Sequence, residues 1–237
     1  MTKTGPAGNI QFGDYQEIGL YLILQDSTHL VLTRDNIERV TSEYWRDPDK
    51  MPPHVKQAVE FQRCPFCPLK GEGDLCDALR PVLPLVDVVD KYVSFDEVTA
   101  VYKPDTKELL HVSNTTMAEG LRYVCVLSLM HYCKTGRKYW QYYFDIIPVL
   151  GAIEFANRLY LNIHWIHEGN KDRIDGAISE FCEIITITTK NQLARLRLIC
   201  KNDVFLNAFI GVQTITQLLN VSKDRLLEDS FHRFQKI

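Results

Sequence analysis

Three cysteines, Cys64, Cys67 and Cys76, fall within thirteen residues of the stretch EFQRCPFCPLKGEGDLCDALRP. A Cys-x-x-Cys turn can present two thiolates to one metal ion while backbone N–H groups of the turn donate to the first sulfur. Pro65 removes no donor that matters, since the useful ones belong to Phe66 and Cys67. Cys76 adds a third sulfur after a Gly-containing loop able to bend back. Structural zinc takes four ligands. The fourth is expected from Cys133, with His131, His111, His54 and Asp77 as the other candidates. A structural zinc contributes about 10–16 kcal/mol, comparable with a whole domain's stability of about 5–15 kcal/mol. A zinc site would therefore explain how a loop rich in Pro and Gly and poor in apolar residues stays ordered.

Two other chemistries compete for the same sulfurs. CPFC has the Cys-Pro-aromatic-Cys form of a glutaredoxin site, so Cys64 and Cys67 could serve a thiol-dependent redox protein or enzyme. That chemistry needs the first cysteine at a helix N-terminus, where the dipole depresses its pKa. Here a helix-forming stretch precedes the motif, and Pro68 and Lys70–Gly73 follow it. The third reading treats cysteine as a small buried hydrophobe, the role expected of Cys125, Cys182 and Cys200 on helical faces.

Elsewhere the signals are weaker. His164 and His167 stand at helical spacing with Glu154, Glu180 and Glu183 nearby, but the Glu-x-x-His pairs of a carboxylate-bridged bundle are missing. KTGRKYWQYYFD interleaves Lys134, Arg137 and Lys138 with aromatic residues and could hold phosphate or nucleic acid. The competing reading is an amphipathic helix whose aromatics face the core while the lysines snorkel. No Gly-x-Ser-x-Gly, phosphate-cradling glycine loop or His-Glu-x-x-His is present, so no catalytic residue is assigned.

The elements that must carry these residues read as α+β. Gly19–Leu24 and His29–Thr33 form a first hairpin around Asp26-Ser27-Thr28, and SFDEVTAVYK and ELLHVS a second. His54–Arg63 is helical after two prolines. Thr116-x-x-Glu119 is a capping box opening a helix toward Cys133. After Gly136 the chain is helical almost throughout: one segment begins near Gly151, the next runs through EIITITT, Asp203 caps another to Leu219, and Ser222 starts a last one. The expected organisation is a loose N-terminus over 1–14, a β-rich part with the cysteine loop over 15–115 and a helical part over 116–237, the last two able to form one domain.

With 237 residues, 46% apolar and 24% charged, the composition is that of an ordinary globular chain. Lys and Arg number 27 against 30 Asp and Glu, a net charge of −3 that gives no general field for nucleic acid. No apolar run approaches the roughly 18 residues of a membrane span, and the N-terminus lacks a signal-peptide core. The seven cysteines are then expected to be reduced thiols in a cytoplasmic protein.

The motifs also occur in a suggestive order. CPFCPL, the cysteine of LCDAL, VVDKYVSFDEVTAVY and MAEGLRYVCVLSLMHYC together resemble a group of uncharacterised bacterial proteins, a domain of unknown function. In that group a Cys-Pro-x-Cys-Pro-Leu segment and a further cysteine precede a SYDEV-like strand, a QEGLSSLLG-like helix and a Ser-Gly-Cys. The likeness spans roughly residues 55–230 and implies a helical C-terminal half. Cys64, Cys67 and Cys76 match its cysteine segment and Cys133 is similar to its later cysteine. Here, however, His131-Tyr132-Cys133 is followed by lysine, not Pro. The family implies no activity. The expectation is a non-catalytic scaffold or interaction protein with a structural metal, its partner another protein or a second copy.

Overall fold

A computed structural model describes residues 15–234 except 62, 70, 72 and 106–109, and leaves some side chains near the C-terminal end undescribed. The expectation of a loose 1–14 segment, and most of the turn between the second pair of strands, lie outside the described residues. Four strands, β1 (Gly19–Ile23), β2 (His29–Thr33), β3 (Glu97–Lys103) and β4 (His111–Thr116), form one antiparallel sheet in the order β2-β1-β3-β4. Both anticipated hairpins are present, and β1 pairs with β3 to fuse them. The fold is α+β.

Alternation sets the faces. Leu20 and Leu22 of β1 sit opposite Leu32 and Leu30 of β2 and point into the main core with Val98 and Ala100 of β3. Tyr21 and Val101 point the other way and are covered by Tyr15 and Leu110. The helices are α1 (Arg34–Arg46), α2 (Pro53–Glu60), α3 (Val86–Val89), α4 (Met117–Leu127), α5 (Ala152–Ile166), α6 (Lys171–Leu196) and α7 (Val204–Phe234). The capping box forms as expected: Thr116 Oγ1 accepts from the Glu119 N–H while the Glu119 carboxylate accepts from the Thr116 N–H. Helix α1 was not anticipated. Thr33 caps it, and it buries only Ile37 and Thr41, too thin an apolar stripe to stand out.

Helix α7 runs unbroken where two helices were expected. Neither Gly nor Pro lies between Leu219 and Phe231 to end the first of them. Over Val204–Val221 this helix is long and apolar enough, by length and composition, to cross a membrane. That corrects the expectation that no stretch approaches such a span. Its apolarity also serves packing, since α7 lies against α4, α5 and α6. One hydrophobic cluster joins sheet residues such as Leu22 to Phe155, Phe181, Phe205 and Phe209 of the helices, so the β-rich and helical parts share a core.

Candidate metal centre

The cysteine loop leaves α2 and returns to the body of the protein at Cys76, whose N–H donates to the Val59 carbonyl at 3.0 Å. Within it, Cys64 to Cys67 closes a turn in which the Cys67 N–H donates to the Cys64 carbonyl at 2.9 Å. The loop lies on the C-terminal part of α6. Asn191 Nδ2 donates to Cys64 Sγ at 3.0 Å, and Gln192 Nε2 approaches Cys76 Sγ at 3.7 Å. Arg195, one turn on, donates from Nε to the Phe61 carbonyl at 2.8 Å. These three α6 residues are almost fully buried, Arg195 at 1% exposure.

Cys133 arrives from another direction. Helix α4 does not end at Leu127 but widens into a π-turn over Ser128–Tyr132, closed by the Cys133 N–H on the Ser128 carbonyl at 2.9 Å. Such widened turns are rare and cluster at functional sites. The next turn, Cys133-Lys134-Thr135-Gly136, folds back so that the Gly136 N–H donates to Cys133 Sγ at 3.4 Å. Only glycine fits there, because a Cβ on Gly136 would overlap the Leu129 carbonyl. The 3₁₀ helix Gly136–Tyr143 follows.

The four anticipated sulfurs thus come from two segments of chain. Burial pushes the Cys64 thiol up, opposed by the Asn191 amide and the Arg195 charge and reinforced by the nearby Cys76 and Cys67. Burial likewise pushes Cys133 up to about 11, opposed by the Gly136 and Thr135 N–H groups and reinforced by Cys76 and Cys64. The sulfurs are therefore electrostatic neighbours, and three receive N–H donors. As the side chains stand, no three His, Cys, Asp or Glu groups among the described residues are drawn together closely enough to hold a metal ion.

The other candidate ligands have different occupations. Asp77 accepts from Trp45 Nε1 at 2.6 Å on one oxygen and pairs with Lys134 Nζ at 2.9 Å on the other. His131 packs its ring against Tyr132 and Trp140. His111 lies on β4 beside Tyr102, and His54 is exposed on α2. Of the remaining thiols, Cys125 and Cys182 lie in the main core and Cys200 packs against it.

His164 and His167 do not join the glutamates named with them. His167 Nε2 meets Tyr142 Oη at 3.3 Å, and Glu180 pairs instead with Lys138 at 2.5 Å. In the 134–143 segment Tyr139, Tyr142 and Tyr143 turn into the core, while Lys134 and Lys138 are engaged by Asp77 and Glu180. Arg137 and Trp140 are left at the surface.

The sequence reading missed Asn191, Gln192, Arg195 and Gly136. A signal existed for the first three: they are polar residues on the buried face of a helix whose period is otherwise apolar. No protein-family model, curated protein or solved structure matches the chain, so the motif likeness brings no activity to this site and its reading rests on its own geometry.

Proposed function

We propose that Cys64, Cys67, Cys76 and Cys133 form a structural thiolate site for one zinc ion, and that the protein acts as a scaffold or interaction protein, not as a catalyst. The observation that carries this reading is the set of N–H donors aimed at sulfur. The adjacent Asn191 and Gln192 side chains of α6 and the Gly136 backbone each point at a different thiol. A neutral thiol is a weak acceptor and gains little from such donors. A thiolate bound to metal accepts strongly, and donors of this kind orient ligands and offset their charge. The positive charge of Arg195, which opposes the rise of the Cys64 pKa, acts in the same direction. Four thiolates suit a borderline-soft ion such as zinc.

A redox role for Cys64 and Cys67 has less support. Its nucleophile needs a depressed pKa, whereas burial raises that of Cys64, and among the described residues no helix begins between Cys64 and Cys76 to lower it. Elemental analysis of protein purified without chelator discriminates between the two readings. One zinc per chain is expected, with loss of metal and a lower Tm when Cys64 or Cys133 is changed to Ser. Metal-free protein with a rapidly alkylated Cys64 would overturn the zinc reading in favour of the redox one.

A further inference from the structure

Helix α1 and the turn after Cys76 enclose an open cleft of about 560 Å³, lined by Glu38, Arg39, Ser42, Trp45, Arg46 and Arg80. Three arginines and one glutamate thus line it, on a chain whose net charge is −3. We infer that this cleft binds a small phosphate monoester, its phosphoryl group held by Arg39, Arg46 and Arg80 and its organic part lying against Trp45.

Arg80 is set in place before any ligand arrives. Its Nε donates to Thr41 Oγ1 at 2.9 Å, its Nη2 pairs with Glu38 at 2.7 Å, and its plane lies 5.3 Å from the Trp45 ring centre. A guanidinium held by stacking and two polar contacts loses little freedom on binding, and with Nε and Nη2 engaged its Nη1 is the nitrogen left to meet a phosphoryl oxygen. The Arg46 guanidinium makes no ion pair or hydrogen bond among the described residues, and it stands exposed with Arg39 on α1. The cations of the cleft are other residues than Lys134 and Lys138, the basic residues that stand out in the sequence and pair with Asp77 and Glu180.

The inference is independent of the zinc reading, because every residue it uses belongs to α1 or to Arg80. Calorimetric titration of the full chain with inorganic phosphate and with phenyl phosphate at low salt tests it. Both are expected to bind, phenyl phosphate more tightly, with affinity falling as salt rises. Arg46→Glu and Arg39→Glu, both at exposed positions that leave the core intact, are each expected to weaken binding about tenfold. Arg173→Glu, the same charge change at the opposite end of α6 from the cysteine loop, is expected to have little effect. Absence of binding by either anion would overturn the inference, as would an Arg173→Glu loss equal to that of Arg46→Glu. Equal affinity for the two probes would overturn the part given to Trp45.

Discussion

Asn191 is the residue on which the zinc reading bears most directly, since its amide reaches the most buried sulfur of the loop trio. Hydrogen bonds to charged groups contribute about 1.5–3 kcal/mol, and loss of an outer partner lowers metal affinity about 10–100-fold. Asn191→Ala should weaken zinc within that range, measured by competition with a chromophoric chelator. Asn191→Asp, which sets a carboxylate beside a thiolate at nearly the same volume, should weaken it further. If neither changes affinity, the donor does not serve a thiolate. The thiols also fix the pH response. Burial holds the Cys133 pKa at about 11, above its ordinary 9.0, so metal-free folded protein keeps that proton where the unfolded chain releases it. The resulting stability is complete below about pH 9 and is lost as pH rises through about 11. Zinc-loaded protein should do the reverse at low pH, because metal uptake by thiols releases protons and acid drives the metal off. Denaturation across both pH ranges, with and without chelator, checks the two directions.

At the scale of elements, the junction from α4 through the π-turn to the 3₁₀ helix aims Cys133, and Gly136 is its least replaceable residue. Gly136→Ala would force a methyl into the Leu129 carbonyl and move the N–H that meets Cys133 Sγ. A loss of about 3 kcal/mol or more is expected, since backbone cannot yield as a side chain does. Thermal denaturation reads the loss, and zinc content should fall with it. The contrast is Gly120, where an added methyl would meet only the movable Leu22 side chain. This junction also marks the limit of what the sequence discloses. The capping box of α4, the alternation of β1 and β3 and the periodicity of α6 are local signals, and each predicted its element. The π-turn is a tertiary accommodation with no residue code of its own. Likewise, the β-branched run EIITITT gave a mixed signal that packing resolved in favour of helix, with Ile185 in the core. The trio Cys64, Cys67 and Cys76 was legible from spacing. Gln192 and Asn191 showed only as polar residues on a buried helix face, and that they meet sulfur depends on which segment lies across α6.

At the scale of the molecule, the cysteine loop is the part least held by the core. Among its described residues from 61 to 74, none belongs to the main hydrophobic cluster, whereas α2 before it supplies Ala58 and Val59 and the turn after it supplies Leu79. What ties it down is polar: Arg195 to the Phe61 carbonyl, Asn191 to Cys64 and the Cys76 N–H to Val59. A few hydrogen bonds contribute about 1 kcal/mol each, less than the entropy of ordering so many residues. The sheet and the packing of α4, α5 and α6 around α7 depend on no loop residue. Removing metal should therefore open the loop without unfolding the protein. Hydrogen exchange should accelerate strongly over residues 61–76 and modestly around 188–196 and 133–136, while β1, α4 and the first half of α7 keep their protection. A chelator that left exchange over the loop unchanged would show that its order comes from the hydrogen bonds alone. One that unfolded the whole chain at once would show that the shared core cannot stand without the loop.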